Sequence, residues 1–313
     1  MPVPAELYAS LRKRVNVFSH QAKRIDEGNA DALHRTRVSS RRLRELLPVL
    51  RLDGRTTRKL DRRLRRVTRR LGAVRDLDVL MDLVGELQRD RRYSKNALRA
   101  LQTAVEEKQQ AARDALNAKL SIQKLQKIAR ALKRAAKQVD GDDGETNQAV
   151  KHRLLKTTIW VIEARAARRA TRVQEAIEAA GTVYIPAPLH QVRIALKKLR
   201  FALELSAEVK DEGATREITV LRNAQGLLGR LHDLQVLTDH AREMQASRVD
   251  SDPSGWRDFA SLVRLLERDC RTLHARYVRV SPKLLTIAGS VCDVNKRHAG
   301  RLLRRAAGER LLA

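Results

Sequence analysis

Leucine, valine and alanine recur every three or four positions along most of the chain. Leu60, Leu64, Val67 and Leu71, at i, i+4, i+7 and i+11, are one clear instance, and that period marks one face of a helix. No stretch alternates β-branched residues with polar ones as a strand would. The pattern predicts an all-α protein. Turn-forming residues interrupt it near Gly28-Asn29, Asp53-Gly54, Tyr93-Ser94, Gly141 to Gly144, Gly181 to Pro188, Glu212-Gly213, Ser251 to Gly255 and Ser281-Pro282. Between these breaks lie about nine helices, most of roughly 20 to 40 residues.

The pattern also repeats. His34-Arg35-Thr36-Arg37-Val38-Ser39-Ser40-Arg41-Arg42-Leu43-Arg44 returns as His190-Gln191-Val192-Arg193-Ile194-Ala195-Leu196-Lys197-Lys198-Leu199-Arg200, an offset of 156 positions. Leu71-Gly72-Ala73-Val74-Arg75-Asp76-Leu77-Asp78-Val79-Leu80 returns as Leu228-Gly229-Arg230-Leu231-His232-Asp233-Leu234-Gln235-Val236-Leu237, an offset of 157. Two blocks in the same order at nearly one offset predict a tandem duplication. The expected architecture is two pseudo-symmetric four-helix bundles, residues 1–140 and 141–281, with residues 282–313 as an extra C-terminal helix packed on them.

On a helix, His34, Arg37, Arg41 and Arg44 fall within a sector of about 80°, opposite Leu43, Leu46, Leu47 and Leu50. His190, Arg193, Lys197 and Arg200 form the same stripe above Val192, Leu196, Leu199 and Leu203. A solvated charged face normally mixes acids with bases for mutual support, yet neither eleven-residue block contains an acid. Each stripe starts near a helix N-terminus: Asn29 or Asp31 suits a cap for the first, and Pro188 suits the opening turn of the second. Free backbone N–H groups and the positive dipole end favour anions there. Ten residues of helix span about 15 Å, several phosphate widths.

Charge sharpens this picture. The chain has 65 Lys and Arg against 37 Asp and Glu, a net charge of +28 over 313 residues. Apolar residues make up 42%, enough for a folded core, so the excess charge points to a polyanionic partner. From Arg55 to Arg70, nine of sixteen residues are basic. Two rows flank the apolar seam, Arg58/Arg62/Arg65/Arg69 and Lys59/Arg63/Arg66/Arg70; one would line a cavity and the other face solvent. The candidate phosphate contacts here are Arg62, Arg65, Arg66 and Arg69. The counterpart segment, residues 212–227, supplies only Arg222 beside Arg216.

Several chemistries are disfavoured. Phe, Trp and Tyr together number nine, too few for the stacking platforms of single-strand binders. Nothing approaches the roughly 18 to 20 apolar residues of a membrane span, and no signal peptide is visible at the start, so a cytoplasmic protein is expected. Cys270 and Cys292 are read as reduced packing residues. Asp76 and Asp233 beside Arg75 and His232 invite an acid–base reading, but a helix-buried Asp orienting a neighbouring Arg, with Gly72 and Gly229 admitting a close helix crossing, fits better. There is no HExxH, Walker loop or GxSxG elbow, and no metal or cofactor is expected.

The pattern His-x-x-Arg-Val/Ile-x-x-Arg/Lys-Arg/Lys-Leu-Arg, followed by Leu-Gly-x-x-x-Asp-Leu-x-Val-Leu, resembles the CHAD family, the conserved histidine α-helical domain. The resemblance covers nearly the whole chain and implies two four-helix bundles holding inorganic polyphosphate in a basic central channel, often at polyphosphate granules. It carries that role to His34, Arg37, Arg41, Arg42 and Arg44, and to His190, Arg193, Lys197, Lys198 and Arg200. Two positions depart from the pattern: Phe201 stands where Tyr is common, and His232 where the first block has Arg75. The expected function is non-enzymatic polyphosphate binding. The alternatives are nucleic-acid binding, which charge alone would favour and which is expected weakly in any case, and a phosphohydrolase, for which no carboxylate cluster is visible.

Overall fold

The computed structural model describes residues 4–25, 30–50, 52–139, 148–213, 215–248 and 252–310, with side chains to residue 295. Nine helices account for almost all of them: α1 (Ala5–Lys23), α2 (Ala30–Leu46), α3 (Gly54–Leu87), α4 (Lys95–Lys119), α5 (Ile122–Val139), α6 (Gln148–Ala180), α7 (Pro186–Val209), α8 (Arg216–Ala246) and α9 (Pro253–Arg310). The fold is all-α, as the periodicity predicts.

Local chemistry sets the starts and stops. The Asp53 carboxylate accepts from Thr56 N–H at 2.8 Å to open α3, Ser94 accepts from Ala97 N–H at 3.3 Å to open α4, and Thr215 accepts from Ile218 N–H at 3.4 Å to open α8. Each satisfies a donor that the first turn leaves orphaned. Pro186 starts α7, where its missing N–H is harmless. Gly181 ends α6 at φ 56°, the left-handed conformation that a side chain disfavours. The breaks expected at Gly28-Asn29 and Gly141 to Gly144, and the Asn29 cap, lie outside the described residues. Asp31 sits within the first turn of α2 and pairs with Arg35.

The break expected at Ser281-Pro282 is absent. α9 continues through Pro282, so the residues read as a separate C-terminal helix extend α9, and Leu284, Ile287 and Ala288 pack into the second bundle. Proline leaves the Val278 carbonyl without its helical donor. The Ser281 hydroxyl donates to that same carbonyl at 2.8 Å, so the acceptor that proline orphans is satisfied.

Helices α6, α7, α8 and α9 form a closed four-helix bundle, each packing on the next and α6 on α9. In the first half, α1, α2 and α3 pack in series and α5 closes the bundle against α1 and α3. There α4 turns away to meet α8 and α9. Burial follows this split in three cores. One lies under α1, α2, α5 and the N-terminal half of α3; one lies within α6 to α9. The third joins the C-terminal halves of α3 and α8 to α4 and the start of α9, around Leu83, Leu98, Leu237 and Leu262. The two halves share this core, which holds α2–α3 against α7–α8.

Candidate functional site

His34 is the fifth residue of α2 and His190 the fifth of α7, so the two repeated stripes begin at matching points. Their leucines are buried as expected except Leu203, which is half-buried, and Leu43, Leu46, Leu47, Leu196 and Leu199 are fully enclosed. That anchoring turns both stripes toward one another across the seam between the halves, where α2 meets α7 and α3 meets α8.

The centre of the site is a crowd of cations. Burial pushes Lys197 down to about 7, aided by Arg193, Arg41 and Arg37. Arg41 falls to about 10, from burial and then repulsion by Arg37, with Arg193 and Arg44 adding to it, and it remains charged at neutral pH. Burial likewise lowers Arg193 and His190, each with arginine neighbours, and the more exposed His34 is lowered by partial burial and then by Arg75 and Arg37. His232 lies with its ring 4.5 Å from that of His190 and drops to about 4 through burial, Arg193 and His190. Both rings are therefore neutral in the empty site at pH 7.

Two acids partly offset this charge. The Arg37 guanidinium donates to Asp76 at 3.0 Å. Asp233 is raised by burial, opposed by Arg193. Asp76 is 69% exposed, so it is an orienting group at the surface of the cluster rather than a buried one. Gly72 and Gly229 work differently from the expected close helix crossing. The atoms nearest a side chain at Gly72 would be the Arg37 guanidinium, at 3.5 Å, and at Gly229 the Arg193 Nε, at 3.9 Å. Each glycine leaves room for an arginine to lie across its helix. Arg37 Nε, Arg193 Nε and His190 Nδ1 are buried without hydrogen-bond partners, an unusual state for polar groups.

The other expected contacts fall elsewhere. Arg42, Arg200 and Arg222 gather on Glu204, at 3.7, 2.5 and 3.8 Å, and Arg200 also donates to Gln225 at 2.8 Å. Arg44 is held by Asp61 at 2.8 Å. Lys198 lies about 100° round α7 from Lys197, where burial and then Arg169 and Arg172 of α6 lower it. Arg62, Arg65, Arg66 and Arg69 are all exposed and stand on the ridge of α3 outside the buried cluster. α3 is continuous, and by helical phase Arg58, Arg62, Arg65 and Arg69 lie within about 40° of Asp76, while Arg66 is about 80° away. Arg70, from the other row, donates to the Lys119 carbonyl at 2.5 Å.

Sequence reasoning missed Arg75 and His232 as members of the central cluster, and the arginines of α6 entirely. Arg165, Arg168, Arg169 and Arg172 line a surface cleft of about 710 Å³. Their i, i+3, i+4, i+7 spacing was readable, but the first half has no counterpart to draw attention to it. Among the described residues no group of His, Cys, Asp and Glu is arranged to hold a metal ion, and no helix is long and apolar enough to cross a membrane.

The CHAD domain model matches residues 9–242. The chain belongs to the CHAD family, whose known activity is polyphosphate binding. Two solved structures share the CHAD fold. PptA from Streptomyces chartreusis superposes with a TM-score of 0.60 at 19% identity, covering 93% of this chain and all of that one. The CHAD domain from the plant Ricinus communis superposes with a TM-score of 0.56 at 22% identity, covering 88% of this chain and 93% of that one. At these identities the likeness concerns the fold. No curated protein matches the sequence.

Proposed function

We propose that this chain binds inorganic polyphosphate without hydrolysing it, in a basic channel between its two halves, and that it does so at polyphosphate granules. The observation that carries this reading is the central cluster. Arg37, Arg41, Arg193 and Lys197 repel one another in a largely buried space that only Asp76 and Asp233 offset, and three of its polar nitrogens lack partners. A polyanion relieves that repulsion. Polyphosphate carries a charge on every unit and needs neither base stacking nor groove reading, and this chain has few aromatic residues for the first.

The test is competition near physiological salt. Labelled long-chain polyphosphate is challenged with unlabelled polyphosphate, duplex DNA and RNA at matched charge. Displacement by polyphosphate at much lower charge concentration than by either nucleic acid is expected; equal competition would transfer the site to nucleic acids. Incubation with the protein should release no orthophosphate, whatever the divalent cation supplied.

A further inference from the structure

The repeated motif does not send all its cations to one place. Lys198 is adjacent to Lys197, yet it projects about 100° further round α7 and meets a different set of cations. Lys197 is repelled by Arg193, Arg41 and Arg37, Lys198 by Arg169, Arg172 and Arg44. Arg44 is also among the groups that repel Arg41. The cations therefore form a connected series that leaves the central cluster at Arg41, passes Arg44 and Lys198, and ends on the α6 arginines.

The end of that series is a concave surface. Arg165, Arg168, Arg169 and Arg172 line the α6 cleft together with Thr171 and Glu175. Over the seven positions from Arg165 to Arg172 the row adds about 10 Å of basic surface. Glu45 of α2 stands between the cluster and the cleft and occupies two of the arginines, Arg165 at 3.0 Å and Arg169 at 3.3 Å. Arg168 and Arg172 are exposed and face outward. The corresponding stretch of α1 carries Arg12, Lys13 and Arg14 in succession, with Arg14 held by Glu208, so the row of four arginines at helical spacing belongs to α6.

We infer that the α6 cleft is a second binding segment for the same polyanion, taking the part of a phosphate chain that leaves the central cluster past Arg44 and Lys198. This rests on the polyphosphate reading and adds to it a preference for long chains and a direction of exit. A triphosphate fits within the cluster and never reaches α6; a chain of tens of phosphates covers both.

The experiment compares tripolyphosphate with long-chain polyphosphate on the full chain. Replacing Arg168 and Arg172 with Glu should weaken long-chain binding roughly threefold or more, as expected when two exposed cations no longer meet the ligand, and leave tripolyphosphate binding unchanged. The salt dependence of long-chain affinity should flatten by the share of about two phosphates. Lys127→Glu with Arg130→Glu on α5 makes the same change in net charge at exposed positions and serves as control. Glu45→Gln, which frees Arg165 and Arg169, should act in the opposite direction and tighten long-chain binding only. The inference is overturned if the α6 variant matches the α5 control on long chains, if both chain lengths weaken equally, or if Glu45→Gln loosens the long chain. Failure of the underlying polyphosphate reading shows itself differently: the unsubstituted protein would bind neither length.

Discussion

Lys197 is the residue at which the empty site is least comfortable, and its titration reports what fills the site. Its ammonium is pushed from the usual 10.5 down to about 7 by burial and by Arg193, Arg41 and Arg37. A base whose pKa falls on folding works against the fold while it is protonated. Between about pH 7 and 10.5 the unfolded chain holds the extra proton, so this group makes the empty protein more stable as pH rises, and its penalty is fully present below 7. Lys197→Met should therefore raise the melting temperature of the empty protein at about pH 6 and leave it nearly unchanged above about pH 10.5, where the folded and the unfolded chain both hold the amine neutral. Equal shifts at the two pH values would mean that packing, not charge, is responsible. A bound polyanion reverses the preference and recharges the amine. Titration calorimetry at about pH 8 in buffers of different ionisation enthalpy should register proton uptake on polyphosphate binding, diminished in the Lys197→Met protein.

At the scale of helices, packing accounts for what the sequence made legible and for what it concealed. The stripes on α2 and α7 were legible because their leucines repeat at helical spacing and fix which side faces out. The turn of Lys198 toward α6 was hidden, because it depends on which helix packs behind α7. The same holds for Gly72, whose role is to make room for the Arg37 side chain. Gly72→Ala places a methyl at ordinary contact distance from that guanidinium and removes a poor helix former, so a gain of up to about 1 kcal/mol in stability is expected. Gly72→Leu fills the space Arg37 occupies and should weaken polyphosphate binding with helical content unchanged. If Leu at this position binds like the unsubstituted chain, Arg37 reaches the ligand by another path. The continuity of α9 was concealed for a related reason. A proline ordinarily reads as a stop, and here the packing of Leu284, Ile287 and Ala288 carries the helix past it while Ser281 supplies a donor to the Val278 carbonyl. Ser281→Ala should cost about 1 kcal/mol in urea unfolding, whereas a substitution at exposed Thr286 should cost less.

At the scale of the molecule, the charge of +28 is sustained by a division of labour. Three apolar cores hold the helices together, and ion pairs such as Arg14–Glu208, Arg165–Glu45 and Arg230–Glu86 tie the two halves across their contact. What remains uncompensated is spread over exposed faces such as α3 and α5, but it is buried where the repeats face each other. That meeting of charges was legible in outline from two acid-free blocks, but the partition into a central cluster, a Glu204 group and an α6 cleft was not, since it depends on which side chains from distant helices share a space. Crowding like charges destabilises the empty fold, and a polyanion that binds only the folded state relieves the repulsion and adds mass action. At one hundred times its dissociation constant the ligand contributes about 2.7 kcal/mol, worth several degrees in melting temperature for a chain of this size. Long-chain polyphosphate should give that shift. Orthophosphate at equal total phosphorus should give much less, because each ion neutralises one locality and cannot span a stripe of about 15 Å. The difference should shrink as salt is raised, since the long chain releases more counterions on binding. Equal shifts from the two ligands would mean independent single-phosphate pockets instead of one extended track.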